Sequence, residues 1–259
     1  MSVEELKQIL LTQIVPQYSR LGTVLGIYAQ GSLVNGYTDS ADFDVKVIWE
    51  QTIPENRERL AKQLNNNALQ CLVVDYETVH LDRFHIDNQE YNLSHSVLED
   101  FEKNVDLVID GQVFLTNEIM QPIISVSGFF YGLTTIDKRG ILSKNKEKLK
   151  QFPEKLKSET RRVFENRKES YLKDLEKYIE RDGLYMFYKT LTEALEVFFI
   201  AWFVSYAIYF PGNKWLKQSI KKFKLNIRVE SLLNKILGSD SDLKTKRQIF
   251  IELTKVLGT

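Results

Sequence analysis

The chain has 259 residues, 43% hydrophobic and 27% charged, with five prolines and one cysteine. That composition excludes a disordered, collagenous or disulfide-built protein, and the length allows one large domain or two ordinary ones with cores of their own. The formal net charge is zero, yet residues 1–137 hold 8 Lys+Arg against 20 Asp+Glu (8 − 20 = −12), and residues 138–259 hold 27 against 15 (27 − 15 = +12). Two readings follow: two domains of complementary potential, or a cleft with carboxylates on one wall and phosphate-binding lysines on the other.

The start, MSVEELKQ, is acidic and polar where a secretory signal would be basic and then apolar, which predicts a cytoplasmic protein. Ser2 and Glu5 have capping-box spacing, and Ile9, Leu10 and Leu11 continue an apolar stripe, so a first helix runs toward Pro16. Thr23 to Gln30 reads as a buried strand, Gly31-Ser32 as a turn into a short helical segment, and Asp42 to Trp49 as a second strand. Pro54 precedes an amphipathic helix through Arg57, Leu60 and Leu64.

Ala68 to Phe84 is strand-like, and Asp87-Asn88 turns it back into a strand from Glu90 to His95. A short acidic helix (97–103) follows, and Asp110-Gly111 reads as the turn of a further hairpin between Asp106 and Leu115. A domain boundary is expected after residue 137. Beyond it the pattern is helical throughout: 141–152, 154–181, 184–210, 214–223, 229–237 and 242–257, with breaks at Asp182-Gly183 and Pro211-Gly212. The apolar run from Val197 to Phe210 is too short for a membrane span and reads as a core helix. The predicted fold class is α+β: a mixed sheet domain flanked by helices (1–137), then an all-α bundle (138–259).

Asp42 and Asp44 are two apart on a strand, so both carboxylates point to one face while Phe43 and Val45 point to the other. Two adjacent carboxylates on a half-buried face repel each other unless a cation lies between them, and Mg²⁺ suits such a pair when phosphate oxygens complete its shell. Gly31 permits close approach of the backbone, and the amides after it, with the Ser32 hydroxyl, can hydrogen-bond a phosphate. The candidates for a further carboxylate are Asp75, Glu77 and Asp82; Asp82, flanked by apolar residues in Val79 to Phe84, is favoured. Glu193 and Glu196 share a helix face and are either a proton acceptor or a solvated edge, and Lys214, after the Pro-Gly break, is placed to contact a phosphate beside Trp215.

Gly31-Ser32, Gly36 and Asp42-Phe43-Asp44 followed by an apolar strand resemble the signature of the DNA polymerase β-like nucleotidyltransferase superfamily. The helical half, with Pro211-Gly212-Asn213-Lys214-Trp215, is similar to the substrate domain of bacterial aminoglycoside and lincosamide nucleotidyltransferases. The resemblance implies that Gly31 and Ser32 hold a nucleoside triphosphate, and Lys214, by its place after the Pro-Gly break, is expected to join them. The resemblance also implies that Asp42, Asp44 and a third carboxylate, here Asp82, bind two Mg²⁺ ions, and that a nucleoside monophosphate passes to a hydroxyl of a small molecule, an antibiotic among the candidates. The alternatives are a transferase acting on protein or tRNA, as in toxin–antitoxin pairs, and an inactive nucleotide-binding homologue. Nucleic acid is disfavoured as acceptor because the chain is neutral and its basic residues share helices with acids. A second copy of the chain is an open partner.

Overall fold

The computed structural model describes residues 3–37, 42–66, 71–76, 79–87, 89–114 and 121–258. The expected helix cap Ser2, the candidate Glu77 and the turn residue Asn88 lie outside them. The chain forms two compact units, Met1–Asp106 with Ser125–Gln151, and Leu107–Ile124 with Phe152–Thr259. The architecture is α+β, a mixed sheet with helices in the first unit and a helical bundle in the second.

Unit 1 is built on β1 (Val24–Gln30), β2 (Phe43–Trp49), β3 (Leu72–Tyr76), β4 (Val79–Ile86), β5 (Gln89–Val97) and β6 (Leu133–Asp137), in the order β3-β4-β5-β2-β1-β6. Only β2 and β5 pair in parallel. Helix α1 (Val3–Ile9) runs through a π-helical turn into α2 (Val15–Tyr18), and α3 (Gly31–Val34) is a single turn. Helices α4 (Arg57–Leu64), α5 (Leu98–Ile109), α6 (Pro122–Tyr131) and α7 (Ile141–Lys150) follow.

Alternation along the strands decides which helices cover which face. Phe43, Val45, Val47 and Trp49 of β2 are buried with Leu10, Ile14 and Tyr18 of the first helices and Leu60 and Ala61 of α4. On the other face Tyr28 packs against Phe101 of α5 and Phe129 of α6 (centroids 6.4 and 5.2 Å), and Gly26 lies under Leu142 of α7. The sheet is therefore sandwiched between helices.

Unit 2 contains α8 (Glu154–Glu180), α9 (Leu184–Ser205), α10 (Leu216–Lys222), α11 (Ile227–Leu237) and α12 (Leu243–Lys255). From Val197 to Val204 every residue of α9 is buried, and Phe198 meets Phe164 of α8 edge-on at 5.8 Å, as a core helix requires. Lys246 of α12 is buried with its ammonium donating to the carbonyls of Ile236 (2.7 Å) and Gly238, a cation placed on the carbonyl end of α11. No helix among the described residues is long and apolar enough to cross a membrane.

Two expectations are corrected. A single boundary after residue 137 does not describe the division, because β6 pairs with β1 and α7 packs on the same sheet, so residues 125–151 belong with unit 1. Asp110-Gly111 is not a hairpin turn. Phe101, Val105 and Val108 recur at helical spacing, α5 continues to Ile109, and Gly111 (φ 73°) ends it as Gly111 and Gln112 donate to the carbonyls of Val108 (3.0 Å) and Leu107 (2.8 Å).

A Cβ at Gly111 would lie 2.9 Å from the Cβ of Glu159 and 3.0 Å from the Lys155 carbonyl oxygen. Gly111→Ala is expected to destabilise the protein by about 1–2 kcal/mol or more, from the left-handed backbone and this crowding, as read by urea denaturation.

Candidate functional site

The acidic site forms where β1 ends and β2 begins. Gly31 adopts φ 83°, and α3 closes on it, with the Asn35 amide and side chain both donating to its carbonyl (3.2 and 2.8 Å) and Tyr37 N–H donating to the Ser32 carbonyl (2.8 Å). A Cβ on Gly31 would run into the Asp44 carboxylate, so glycine is required both by the backbone and by the aspartate beside it. Ser32 is only 3% exposed.

Strand register fixes what joins Asp44 on its face. Asp44 pairs with Asn92 of β5, and Asn92 pairs with Arg83 of β4; all three point the same way. Glu90, two residues before Asn92, shares that face, and Asp42 lies one residue before the first β2–β5 pair, Phe43 with Tyr91. The Asn92 amide nitrogen donates to Asp42 (2.6 Å) and to Glu90 (3.3 Å), while its oxygen accepts from Arg83 Nε (2.8 Å). Rotating that amide would set its oxygen against two carboxylates and its nitrogen against a guanidinium, so the partners determine the orientation. Arg83 also faces Glu90 (3.4 Å), whose second oxygen lies 3.5 Å from His85. Lys46 is on the same face, but its ammonium donates to the His95 carbonyl (3.3 Å), and burial lowers it to about 8, opposed by Asp100.

Asp82 is not in this group. It pairs with Leu93, which pairs with Val45, so its side chain points to the opposite face of the sheet from Asp44. There it is fully buried, accepting from Arg57 Nε (3.0 Å), the Tyr18 hydroxyl (2.8 Å) and His95 Nε2 (2.9 Å). Trp49 Nε1 can only donate, and it donates to His95 Nδ1 (3.2 Å), which leaves the imidazole proton on Nε2, directed at Asp82. The expectation that Asp82 is the third metal carboxylate is therefore corrected: its lone pairs are committed to Arg57, Tyr18 and His95, and it faces away from Asp42 and Asp44. Asp75 shares Asp82's face, salt-bridged to Arg57 (3.3 Å) and to His80.

The sequence reading missed Glu90, Asn92 and Arg83. Their signal was present in Glu90-Tyr91-Asn92-Leu93-Ser94, which alternates polar and apolar with Tyr91 and Leu93 buried. Asp42 and Asp44 with phosphate oxygens fit a single hard cation. Among the described residues no three His, Cys, Asp or Glu side chains are grouped to hold a metal. In unit 2, Lys214 is exposed on a 3-10 turn (Asn213–Trp215) with its ammonium over the Trp215 ring (5.3 Å). Burial raises Glu196, which hydrogen-bonds Asn213, and Glu193 is exposed.

Fold and site together define a helix-flanked mixed sheet with an acidic turn-and-strand site, followed by a helical unit. No protein-family model matches the chain, and no curated protein matches it. It is similar to the crystal structure of a nucleotidyltransferase-like protein from Exiguobacterium sibiricum 255-15, at a TM-score of 0.47 and 16% identity, over 98% of this chain and 74% of that one.

Burial lowers the pKa of His95, so the folded protein holds it neutral where the unfolded chain would protonate it. Its contribution is fully present above about pH 6.5 and is lost as pH falls from there through the lower folded value. Denaturation at pH 7.5 and 5.5 is expected to show that loss, and His95→Gln to remove this part of the pH dependence.

Proposed function

We propose that the chain is a nucleotidyltransferase that moves a nucleoside monophosphate from a nucleoside triphosphate to a hydroxyl of a small molecule, with antibiotics among the acceptors. The observation that supports it is the junction of the Gly31 turn with Asp44, with Asp42 and Glu90 gathered round one Asn92 amide on the same sheet face. Backbone amides beside a carboxylate pair can bind a phosphate and its counter-cation together. Asp42 and Asp44 would hold one Mg²⁺ with the triphosphate; when bound, that ion neutralises phosphate charge and stabilises the departing pyrophosphate. The chain's own part is to orient the triphosphate against the turn and to accept a proton. As the acceptor oxygen bonds to the α-phosphorus, the bond to the bridging oxygen breaks, pyrophosphate leaves, and the hydroxyl proton passes to Glu90.

A second reading, nucleotide binding without transfer, is favoured by Asn92 itself. An amide stands opposite Asp44, and its N–H groups occupy the space between Asp42 and Glu90 that a cation would otherwise fill. α-Labelled nucleotide with a panel of aminoglycosides and lincosamides separates the two: labelled acceptor supports transfer, and retention of unreacted nucleotide supports binding alone.

Mg²⁺ with nucleoside triphosphate is expected to stabilise the protein by about 2.7 kcal/mol at a hundredfold excess over Kd, roughly 5–10 °C in melting temperature. Asp42→Asn with Asp44→Asn should abolish the Mg²⁺-dependent part, whereas Asp82→Asn should lower the starting temperature and leave the shift in place. An unchanged shift in the double variant would sink the metal assignment.

Asn92→Asp replaces the bridging donor with another acid. It is expected to cost about 1–3 kcal/mol without divalent cation and to regain most of it in Mg²⁺, as measured by paired urea titrations. Equal stability with and without Mg²⁺ would show that these acids do not share one cation position.

A further inference from the structure

Between Glu196 and Glu230 the sequence contains no acid and six cations: Lys214, Lys217, Lys221, Lys222, Lys224 and Arg228. All six are exposed, along the 3-10 turn, α10, the bend at Lys224 (φ 52°) and the first turn of α11. Lys217 and Lys221 are four apart on α10, which places them along one side of that helix, and Lys214 lies on the turn just before it. The contrast with α8 is direct. There Lys157, Arg162 and Lys168 each pair with a glutamate three residues earlier, so that surface neutralises itself. Here Glu230 reaches Lys221 (3.4 Å), while Lys214, Lys217, Lys224 and Arg228 have no ion pair among the described residues. Like charges this close raise the free energy of the isolated surface, and a polyanion relieves that repulsion.

We infer that the exposed basic stretch Lys214–Arg228 is a docking surface for the phosphodiester backbone of a nucleic acid. The choice of polyanion rests on what accompanies the charge. Leu216 and Ile220 of α10 and Val229, Leu232, Leu233 and Ile236 of α11 are buried in the bundle, so Ile227 is the one large aliphatic side chain the stretch exposes, too little to form an apolar face that enters a lipid surface. Trp215 and Phe223, each half-buried beneath a lysine ammonium (5.3 and 5.7 Å), instead place aromatic edges among the cations, the combination that holds nucleic-acid strands. Neutrality of the whole chain does not oppose this, because a backbone senses the local field within a Debye length of about 10 Å. The inference stands apart from the proposed transfer reaction and does not depend on it.

The test is fluorescence anisotropy of labelled single-stranded RNA, single-stranded DNA and duplex DNA oligonucleotides of mixed sequence, with the full chain from 50 to 200 mM salt. Five phosphate contacts give a log–log slope of about −3.5 on a single strand, roughly a hundredfold loss over that range. Lys217→Gln with Lys224→Gln and Arg228→Gln should reduce the slope by about 2 without moving the melting temperature. Asp42→Asn with Asp44→Asn should leave it unchanged, which separates this surface from the acidic site. Ultraviolet cross-linking of the wild-type complex should map to peptides between residues 213 and 228, a readout that needs no variant. The form bound most tightly identifies the nucleic acid. A slope near zero, an unchanged slope in the triple variant, cross-links elsewhere, or preference for phosphatidylserine vesicles or an acidic peptide would overturn the inference.

Discussion

The Asp82 carboxylate, buried without solvent, is the constraint on which unit 1 turns. A lone carboxylate in such a place would be prohibitively costly, and it is tolerated because a guanidinium, a phenol and an imidazole all donate to it. These partners come from different places: Arg57 from α4, Tyr18 from α2 and His95 from β5. Removing one partner from a buried ion pair typically costs about 3–5 kcal/mol, so the group acts as a unit that ties two helices to two strands. It also fixes register. A one-residue slip of β4 or β5 would turn Asp82 or His95 out of the network and, in the same move, take Asn92 or Arg83 off the face that carries Asp44. The order on one side of the sheet thus maintains the order on the other.

On that other side, opposite charge and hydrogen bonding are arranged in sequence across three strands. Arg83 donates to Asn92, and Asn92 donates to Asp42 and Glu90. The arrangement gives Asp42 and Glu90 a partner of their own, so a cation placed between them would compete with the Asn92 amide.

The sequence disclosed those features that depend on local periodicity. The period of two along Asp42-Phe43-Asp44 is enough to put both aspartates on one face, and the glycine before them is enough to mark a turn. Helices in the second half were legible within a few residues, because long apolar stripes broken by Asp182-Gly183 and Pro211-Gly212 carry their own boundaries. The identity of the further carboxylate was not legible. Apolar flanks reveal that Asp82 lies on a strand, but its face relative to Asp44 follows from the pairing of β4 with β5 and of β5 with β2, the second a contact made far along the chain. Asp110-Gly111 misled for a different reason: the same pair that makes a hairpin turn also ends a helix, and only the spacing of Phe101, Val105 and Val108 distinguishes them.

The parallel pairing of β2 with β5 has a kinetic side. Phe43 meets Tyr91 and Asp44 meets Asn92 only after the intervening chain has folded back through α4, β3 and β4. Closing so long a loop delays the contact relative to the hairpins β3–β4 and β4–β5, whose partners are near in sequence. By the same measure Tyr18 and Asp82, 64 residues apart, and the paired strands β1 and β6 close over longer loops still, so the hairpins precede both the buried network and the outer strand pairings. The acidic cluster is therefore drawn together by non-local pairing, its charges meeting only where strands distant in sequence are joined.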